Sequence, residues 1–493
     1  MRNKNRKLRK SKVVSNIIFN IIALISTIVA LVFCVYIYKL DMIPSNYLTI
    51  LFIVIGVIYL LLLVFTLPRK IKTWIKIVCA VFFIIFAFVF GYGIKYTDKT
   101  MSTIDKINDE LKQKEEYYIS VLSSSSIKEL KELDSKKIGV YTSASAINSE
   151  KAIEILGKKS KAETVKYDDL INMFEDLSDK KIDALLVNDS QLSVLEGELS
   201  YLELSLKNID GVMVPIERQE EIVKIVDVTN TPFNIYIAGG DAYGSINKVM
   251  NTDVNMVVSV DPVNHKLLLT SIPRDYYVNL PSKGENAYDK LTHAGYYGIQ
   301  ESILAVEKLL DTDINYYAKV NFSTIEGIVD AIGGVDVESD YKFCRDGNKD
   351  KTMCYKKGWN HLTKKTVLPF ARERHAFKDG DIQRVKNQQK VLEAVIKKIT
   401  SSKTIISNYT NILDSVSKNF STSLDSKSIN RLVKMQLSDM RGWTIENQNL
   451  VGTSDMAHVY TFPKMNLYIM RRNQDSVDNA KSKIKEFFNV VKS

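Results

Sequence analysis

The chain has 493 residues, 45% of them hydrophobic and 25% charged, with a formal net charge of +10. That length exceeds one ordinary domain. Much of the basic excess sits at the N-terminus and between two apolar runs, where it orients a chain in a membrane and is no sign of nucleic-acid binding. Residues 1–12 form a basic tail carrying Arg2, Lys4, Arg6, Lys7, Arg9, Lys10 and Lys12. Three apolar runs follow within residues 13–94: Val13 to Tyr38, Met42 to Pro68, and Ile77 to Ile94, which Trp74 and Ile75 extend. About 20 apolar residues span a bilayer as a helix, so three transmembrane helices are expected. A cleaved signal peptide has a shorter apolar region and would not be followed so closely by two more runs. The loop after the second run holds Arg69, Lys70, Lys72 and Lys76, whereas Lys39 and Asp41 leave the first loop nearly neutral. Positive-inside bias then places the N-terminus in the cytoplasm and everything after Ile94 outside it, in a multi-pass protein of the cell membrane.

Residues 95–135 read as a helical linker. Ile104, Ile107, Leu111, Tyr118 and Val121 fall near heptad spacing, but Lys114 interrupts the stripe, so a single solvated helix is expected in preference to a coiled coil. The serine run 123–126 marks a hinge. Residues 136–227 alternate strand-like and helix-like segments: Lys137 to Tyr141, Ile147 to Leu156, Ile182 to Val187 and Ser190 to Leu199. This order predicts a small accessory α/β domain with a partly parallel sheet. A larger α/β domain occupies 228–400. The stretch 401–493 is mixed and expected to pack on that domain, with a helix at Leu432 to Met440, a strand at Ala457 to Phe462 and a closing amphipathic helix at Asp475 to Val491.

Three stretches of the larger domain concentrate charge beside strand ends. Phe233 to Asp241 alternates apolar and polar residues, then turns through two glycines into a carboxylate. Asp253 to Asp261 and His265 to Asp275 flank a turn-rich tripeptide and predict a hairpin. With Asp261 opposite Lys266, Asp253 comes opposite Arg274, which is either part of a site or a cross-strand ion pair. In the third stretch, Arg372 and Arg374 share a side if the backbone is extended. Asp379 and Gly380 make a turn, and a helix beginning near Asp381 puts Asp381, Arg384 and Gln388 on one face, with Val385, Leu392 and Val395 on an adjoining apolar face. Guanidinium groups take phosphate in two-pronged bonds. Asp241 and Asp253 suit a hard divalent cation that bridges to phosphate oxygens. Together these residue types describe a metal–pyrophosphate site. Cys344 and Cys354 lie on the exported side, where a disulfide between them persists and pins their loop beside the arginine stretch; two free thiols are the alternative.

The segment 233–399 closely resembles the catalytic domain of the LytR-CpsA-Psr family. The resemblance rests on Thr270-Ser-Ile-Pro-Arg-Asp275, Lys290-Leu-Thr-His-Ala-Gly295, Gly327 with Gly333-Gly-Val-Asp336, and Arg372 to Gln388. The accessory domain and the three spans resemble the capsule-associated branch of that family. The resemblance implies an α/β fold with a central mixed sheet flanked by helices. It also implies a phosphotransferase that moves a glycopolymer from an undecaprenyl-pyrophosphate carrier to peptidoglycan, its lipid tail in an apolar tunnel. Its metal would be Mg2+, with Mn2+ as a substitute, held by Asp241 and Asp253. Arg274, Arg372, Arg374, Arg384 and Gln388 match pyrophosphate-contacting positions, Lys290 stands in a substrate-binding motif, Asp381 matches an acidic position near the phosphates, and Asp275 is a candidate base. One departure is visible: the family's Arg-Ser-Asp reads Asn251-Thr252-Asp253 here, with Lys248 nearby. Expected partners are a polyprenyl-pyrophosphate-linked glycan, peptidoglycan and the membrane, with no nucleic acid. A lipid-pyrophosphate hydrolase would use the same residues; a non-catalytic wall scaffold would have no need of the arginines.

Overall fold

The computed structural model describes the chain except residue 1 and residues 110–113, 143–145, 189–190, 193–194, 196–198, 216–223, 241–251, 402–408, 417–419, 464 and 490–493. The chain divides into two compact units. One comprises Met1–Lys106 with Ser426–Arg441, and the other Ile107–Asp425 with Gly442–Ser493.

The first unit is built on helices Arg2–Leu40, Ser45–Thr66 and Thr73–Asp109. Their apolar portions, Val13–Leu40, Ser45–Thr66 and Thr73–Asp105, are each long enough to cross a bilayer. Most of their large side chains, among them Ile17, Leu24, Ile53, Leu60, Val81 and Phe88, face outward, which suits hydrocarbon and not water. A small polar cluster ties the three together: the Ser26 hydroxyl bonds the Tyr59 hydroxyl at 2.7 Å and donates to the Phe83 carbonyl at 2.8 Å. Buried Lys76 is satisfied by Asn16 at 2.9 Å. The helix Ser426–Asp439 also belongs to this unit. Asn430 donates to the carbonyl of Leu40, one of those a helix leaves open at its C-terminus, at 2.9 Å. Lys434 pairs with Asp41 at 2.6 Å, and Ser426 donates to Asp105 at 2.8 Å. The expectation that 401–493 packs on the larger domain is corrected for Ser426–Arg441, which answers polar groups at the ends of two apolar helices, whereas Gly442–Ser493 belongs to the second unit. Leu40 and Asp105 lie at one end of this bundle.

The accessory domain begins earlier than the sequence indicates. Its strands are β1 (Lys114–Leu122), β2 (Lys137–Tyr141), β3 (Glu163–Tyr167), β4 (Ala184–Asn188) and β5 (Leu206–Pro215), in the order β3-β2-β4-β1-β5. The pairs β2–β3 and β2–β4 are parallel, while β1 runs antiparallel to β4 and β5. The helical linker expected over 95–135 is therefore corrected: helix gives way by Asp109, and Lys114–Leu122 is an inner strand of the sheet. Tyr117, Ile119 and Val121 are all buried, an alternation that the heptad reading of Tyr118 and Val121 passed over. The serine run makes an exposed turn, with Ser123 N–H donating to the Ser205 carbonyl at 2.8 Å.

In the larger domain β6 (Phe233–Gly239), β7 (Val254–Asp261) and β8 (Lys266–Ile272) form the middle of a mixed six-stranded sheet. After the small pair β9 (Tyr277–Asn279) and β10 (Tyr288–Lys290), the strand β11 (Tyr316–Val320) pairs parallel to β6. Four strands follow as two antiparallel pairs: β12 (Val335–Ser339) with β15 (Gly358–Leu362), and β13 (Phe343–Arg345) with β14 (Asp350–Tyr355). The sheet is completed by β16 (Phe420–Thr422) at one edge and β17 (Thr444–Asn449) at the other, in the order β16-β11-β6-β7-β8-β17. Asp261 pairs with Lys266, the register expected from the sequence. Helices Ile299–Leu310 and Gln474–Asn489 pack on the sheet through Tyr236, Val257, Leu268, Val306 and Ile484. The last hairpin, β18 (Gly452–His458) with β19 (Asn466–Arg472), shares a core with the accessory domain, where Leu467 and Ile469 join Phe174, Leu185 and Leu199. A third core joins Val329, Phe343, Phe370, Val391 and Val395 beneath the arginine stretch.

Candidate functional site

A cleft of about 760 Å³ opens at the carboxyl ends of β6 and β11, beside the start of β7 and the residues that follow β8. Its lining includes Asp253, Arg274, Arg372, Arg374, Arg384 and Gln388, so the fold gathers six of the expected residues from the second and third of those stretches. Asp241 lies outside the described residues, as do Lys248 and Asn251. Asp381 is the first residue of helix Asp381–Ile399, but its side chain is not described. Gly239 ends β6 where a Cβ would come within 2.7 Å of the Val254 Cβ, so this close approach of β6 to β7 at the cleft excludes a side chain.

Beyond the β7–β8 ladder, Arg274 Nη1 lies 2.7 Å from Asp253 Oδ1, and its Nε lies 3.4 Å from Asp275 Oδ2. Lys290 Nζ stands 3.7 Å from the other Asp275 oxygen. Charge therefore alternates along Lys290, Asp275, Arg274 and Asp253. Only the last two reach the cleft lining. Lys290 is 4% exposed, and Asp275 pairs with both it and the Arg274 guanidinium. The segment around Lys290 is fixed by buried Asp289, which accepts from Thr461 N–H at 2.7 Å, from its hydroxyl at 2.5 Å, and from Lys290 N–H at 2.7 Å, and contacts His293 Nδ1 at 2.6 Å.

The arginine stretch owes its shape to one helix end and one buried carboxylate. Thr363 and Thr366 form a capping box that starts helix Lys364–Arg372. Arg372 sits in its last turn, where a cation suits the helix dipole. The chain then turns extended at Glu373 (φ −62°, ψ 130°), so Arg372 and Arg374 are exposed on one side while Glu373 is buried on the other. Glu373 accepts from Gly347 N–H at 3.2 Å and Ala376 N–H at 2.9 Å. Arg372 lies over the Phe322 ring, 4.2 Å from its centroid, and Arg374 Nε approaches His375 Nε2 at 3.3 Å. Helix Asp381–Ile399 packs inward through Val391 and Val395, whereas Val385 and Leu392, expected on its apolar face, are only half-buried. It is also anchored by amides. Gln383 donates to Asp340 at 3.0 Å and to Asn387 at 3.0 Å, and Gln389 donates to the Gln448 carbonyl at 3.1 Å. Lys390 pairs with Asp340 at 2.7 Å. Burial works against the Asp340 charge, but Lys390 and Gln383 outweigh it and hold the carboxyl below its usual range.

The sequence reading did not assign several lining residues: Phe322 and Glu326 on helix Phe322–Ala331, Arg345 on β13, Lys365 and His375. Cys344 and Cys354 are disulfide-bonded, and Arg345 follows the first of them. Among the described residues no group of three or more His, Cys, Asp or Glu side chains forms a ready metal cage. Asp253 beside the cleft arginines still fits Mg2+, which is usually held by one or two carboxylates together with phosphate oxygens and water.

A model of the LytR_cpsA_psr family matches residues 207–485. The TagU protein of Bacillus mycoides (strain KBAB4), named a polyisoprenyl-teichoic acid–peptidoglycan teichoic acid transferase, is 36% identical over 222 residues, which cover 44% of this chain and 70% of that protein. The Enterococcus faecalis (strain ATCC 700802 / V583) protein of the same name is 29% identical over 288 residues, covering 57% of this chain and 90% of its own length. A crystal structure of B. subtilis TagV aligns with a TM-score of 0.44 at 25% identity, over 53% of this chain and 98% of that one.

Proposed function

The chain belongs to the LytR-CpsA-Psr family, and on that premise we propose that it is a membrane-anchored phosphotransferase moving a glycopolymer from a polyprenyl-pyrophosphate carrier onto peptidoglycan. The observation that carries this reading is the convergence of Arg274, Arg372, Arg374 and Arg384 with Asp253 on one cleft. An acceptor hydroxyl on peptidoglycan attacks the phosphorus that bears the glycan. The bond from that phosphorus to the bridging oxygen breaks, polyprenyl monophosphate leaves with the hydroxyl proton, and a phosphodiester remains. Negative charge grows on the leaving phosphate, where fixed guanidinium groups stabilise it without reorganisation. Arg274 is aimed by Asp275, and Arg372 and Arg374 by the inward bonds of Glu373. Asp253, with Asp241 as second carboxylate from the sequence motif, would hold Mg2+ or Mn2+. Such an ion, when bound, screens charge on the phosphate oxygens. The basic tail and second loop place the N-terminus in the cytoplasm and the cleft outside it. Incubating the detergent-solubilised chain with a polyprenyl-pyrophosphate-linked glycan, Mg2+ and peptidoglycan fragments tests this by mass spectrometry. A fragment gaining glycan plus one phosphate is expected. Free glycan phosphate with unmodified fragments would make the protein a hydrolase.

A further inference from the structure

The cleft has a wall that the pyrophosphate chemistry does not use. It is the hairpin of β13 and β14, closed by Cys344–Cys354, from which Arg345, Asp346 and Asp350 line the cleft. The hairpin is fastened to the arginine stretch at three points. Gly347 N–H donates to Glu373; Phe343 meets the Phe377 ring edge-on at 4.8 Å; and Tyr341, just before the hairpin, lies 5.9 Å from that same ring. Gly347 (φ 61°) passes so near His375 that a Cβ would lie 3.1 Å from the His375 Cβ, so the turn is seated on the residue after Arg374. Register slips between Cys344 and Arg345, and a shift of this kind re-aims the side chain that follows it. Arg345 is 53% exposed and held by Asp350 at 3.3 Å. Lys342, Lys349, Lys351, Lys356 and Lys357 on and beside the hairpin are all exposed, against Asp346 and Asp350 as its acidic residues.

We propose that this disulfide-closed hairpin is the glycan-side wall of the cleft and that Arg345 binds a phosphate carried by the glycan, beyond the pyrophosphate, exchanging its Asp350 partner for it. The proposal rests on the lipid-pyrophosphate reading above and adds to it a recognition residue for anionic polymer. A guanidinium already held by one carboxylate at the mouth of a cationic cleft exchanges readily for a phosphate offering two parallel bonds. The lysines behind it raise the local concentration of a polyanion without ordering it.

The test is binding by the full chain in detergent micelles, measured by calorimetry with two probes. One is farnesyl pyrophosphate. The other is a farnesyl-pyrophosphoryl disaccharide bearing a terminal glycerol phosphate. Arg345→Ala should weaken the phosphate-bearing probe about tenfold, the loss of one charge-assisted contact, and leave farnesyl pyrophosphate unchanged. Asp350→Asn should tighten the same probe, because it frees Arg345. Arg274→Ala should weaken both probes. If wild type binds neither probe, the lipid-pyrophosphate reading falls. If wild type binds both and Arg345→Ala weakens neither or both alike, the hairpin proposal alone is overturned.

Discussion

Replacing Arg274 by Ala separates catalysis from stability, because the two consequences differ in size. The side chain is 30% exposed and bridges Asp253 and Asp275, themselves 12% and 16% exposed. Deleting it leaves two partly buried carboxylates, one of which keeps Lys290 within 3.7 Å. Breaking a fully buried pair costs roughly 3–5 kcal/mol. With solvent screening and Lys290 remaining, about 1–2 kcal/mol is expected, or a Tm lower by about 2–6 °C. The loss in rate should be larger. A preorganised donor removed from charge developing in the transition state costs about 3–4 kcal/mol, two to three decades in turnover. Arg274→Lys should restore most of the stability through Asp253 but little of the rate, since an ammonium makes no two-pronged contact. Glycan transfer per folded molecule and the melting curve are to be read on the same preparations. Turnover within about threefold of wild type, accompanied by the expected fall in Tm, would reduce Arg274 to a structural bridge.

Asp253→Asn should weaken the Mg2+ dependence of transfer more than it lowers Tm, and an unchanged Mg2+ titration would remove Asp253 from the metal role. Replacing Cys344 and Cys354 by Ser opens a loop with a sequence separation of 10 and should cost about 2–3 kcal/mol; denatured wild type without reductant should show only the thiols of Cys34 and Cys79, and four alkylated thiols would contradict the bridge. A cysteine at exposed Ser123 should react with a membrane-impermeant thiol reagent in intact, wall-permeable cells, and labelling only after lysis would reverse the topology. Asp340 has a depressed carboxyl pKa in the folded state, so its stabilisation is present above the unfolded value and is lost as pH falls through the folded one. Asp340→Asn should therefore lower stability at pH 7, by less than about 1 kcal/mol for so exposed a pair, and match wild type in strong acid; an equal deficit at both pH values would refute the charge argument.

Local rules were enough for much of this protein. The three apolar runs need no tertiary context, because a bilayer reads length and hydropathy segment by segment. The β7–β8 register followed from a tight turn and strict alternation, and with it the meeting of Asp253 and Arg274. That Arg372 and Arg374 share a side followed from the alternation of an extended backbone, which the chain adopts at Glu373. Other features depended on partners distant in sequence. Lys114–Leu122 is a strand because β4 and β5, about 70 to 90 residues on, supply its ladder; its own residues also satisfy a helical stripe. Asp275 and Lys290 carry the residue types of a site, and only the fold shows that they pair in a row with Arg274, outside the cleft lining. Arg345 had no motif to mark it, since its place in the cleft comes from a hairpin seated on Glu373, His375 and Phe377. Helix Ser426–Asp439 looked like any amphipathic helix, and only the open carbonyl of Leu40 and the charges of Asp41 and Asp105 decided where it docks. Sequence determined which residues could bind pyrophosphate and which segments could enter a membrane, because both follow from side-chain chemistry at short range. Tertiary structure decided which of those groups share one cleft, because that depends on contacts that close long loops and that no local pattern encodes.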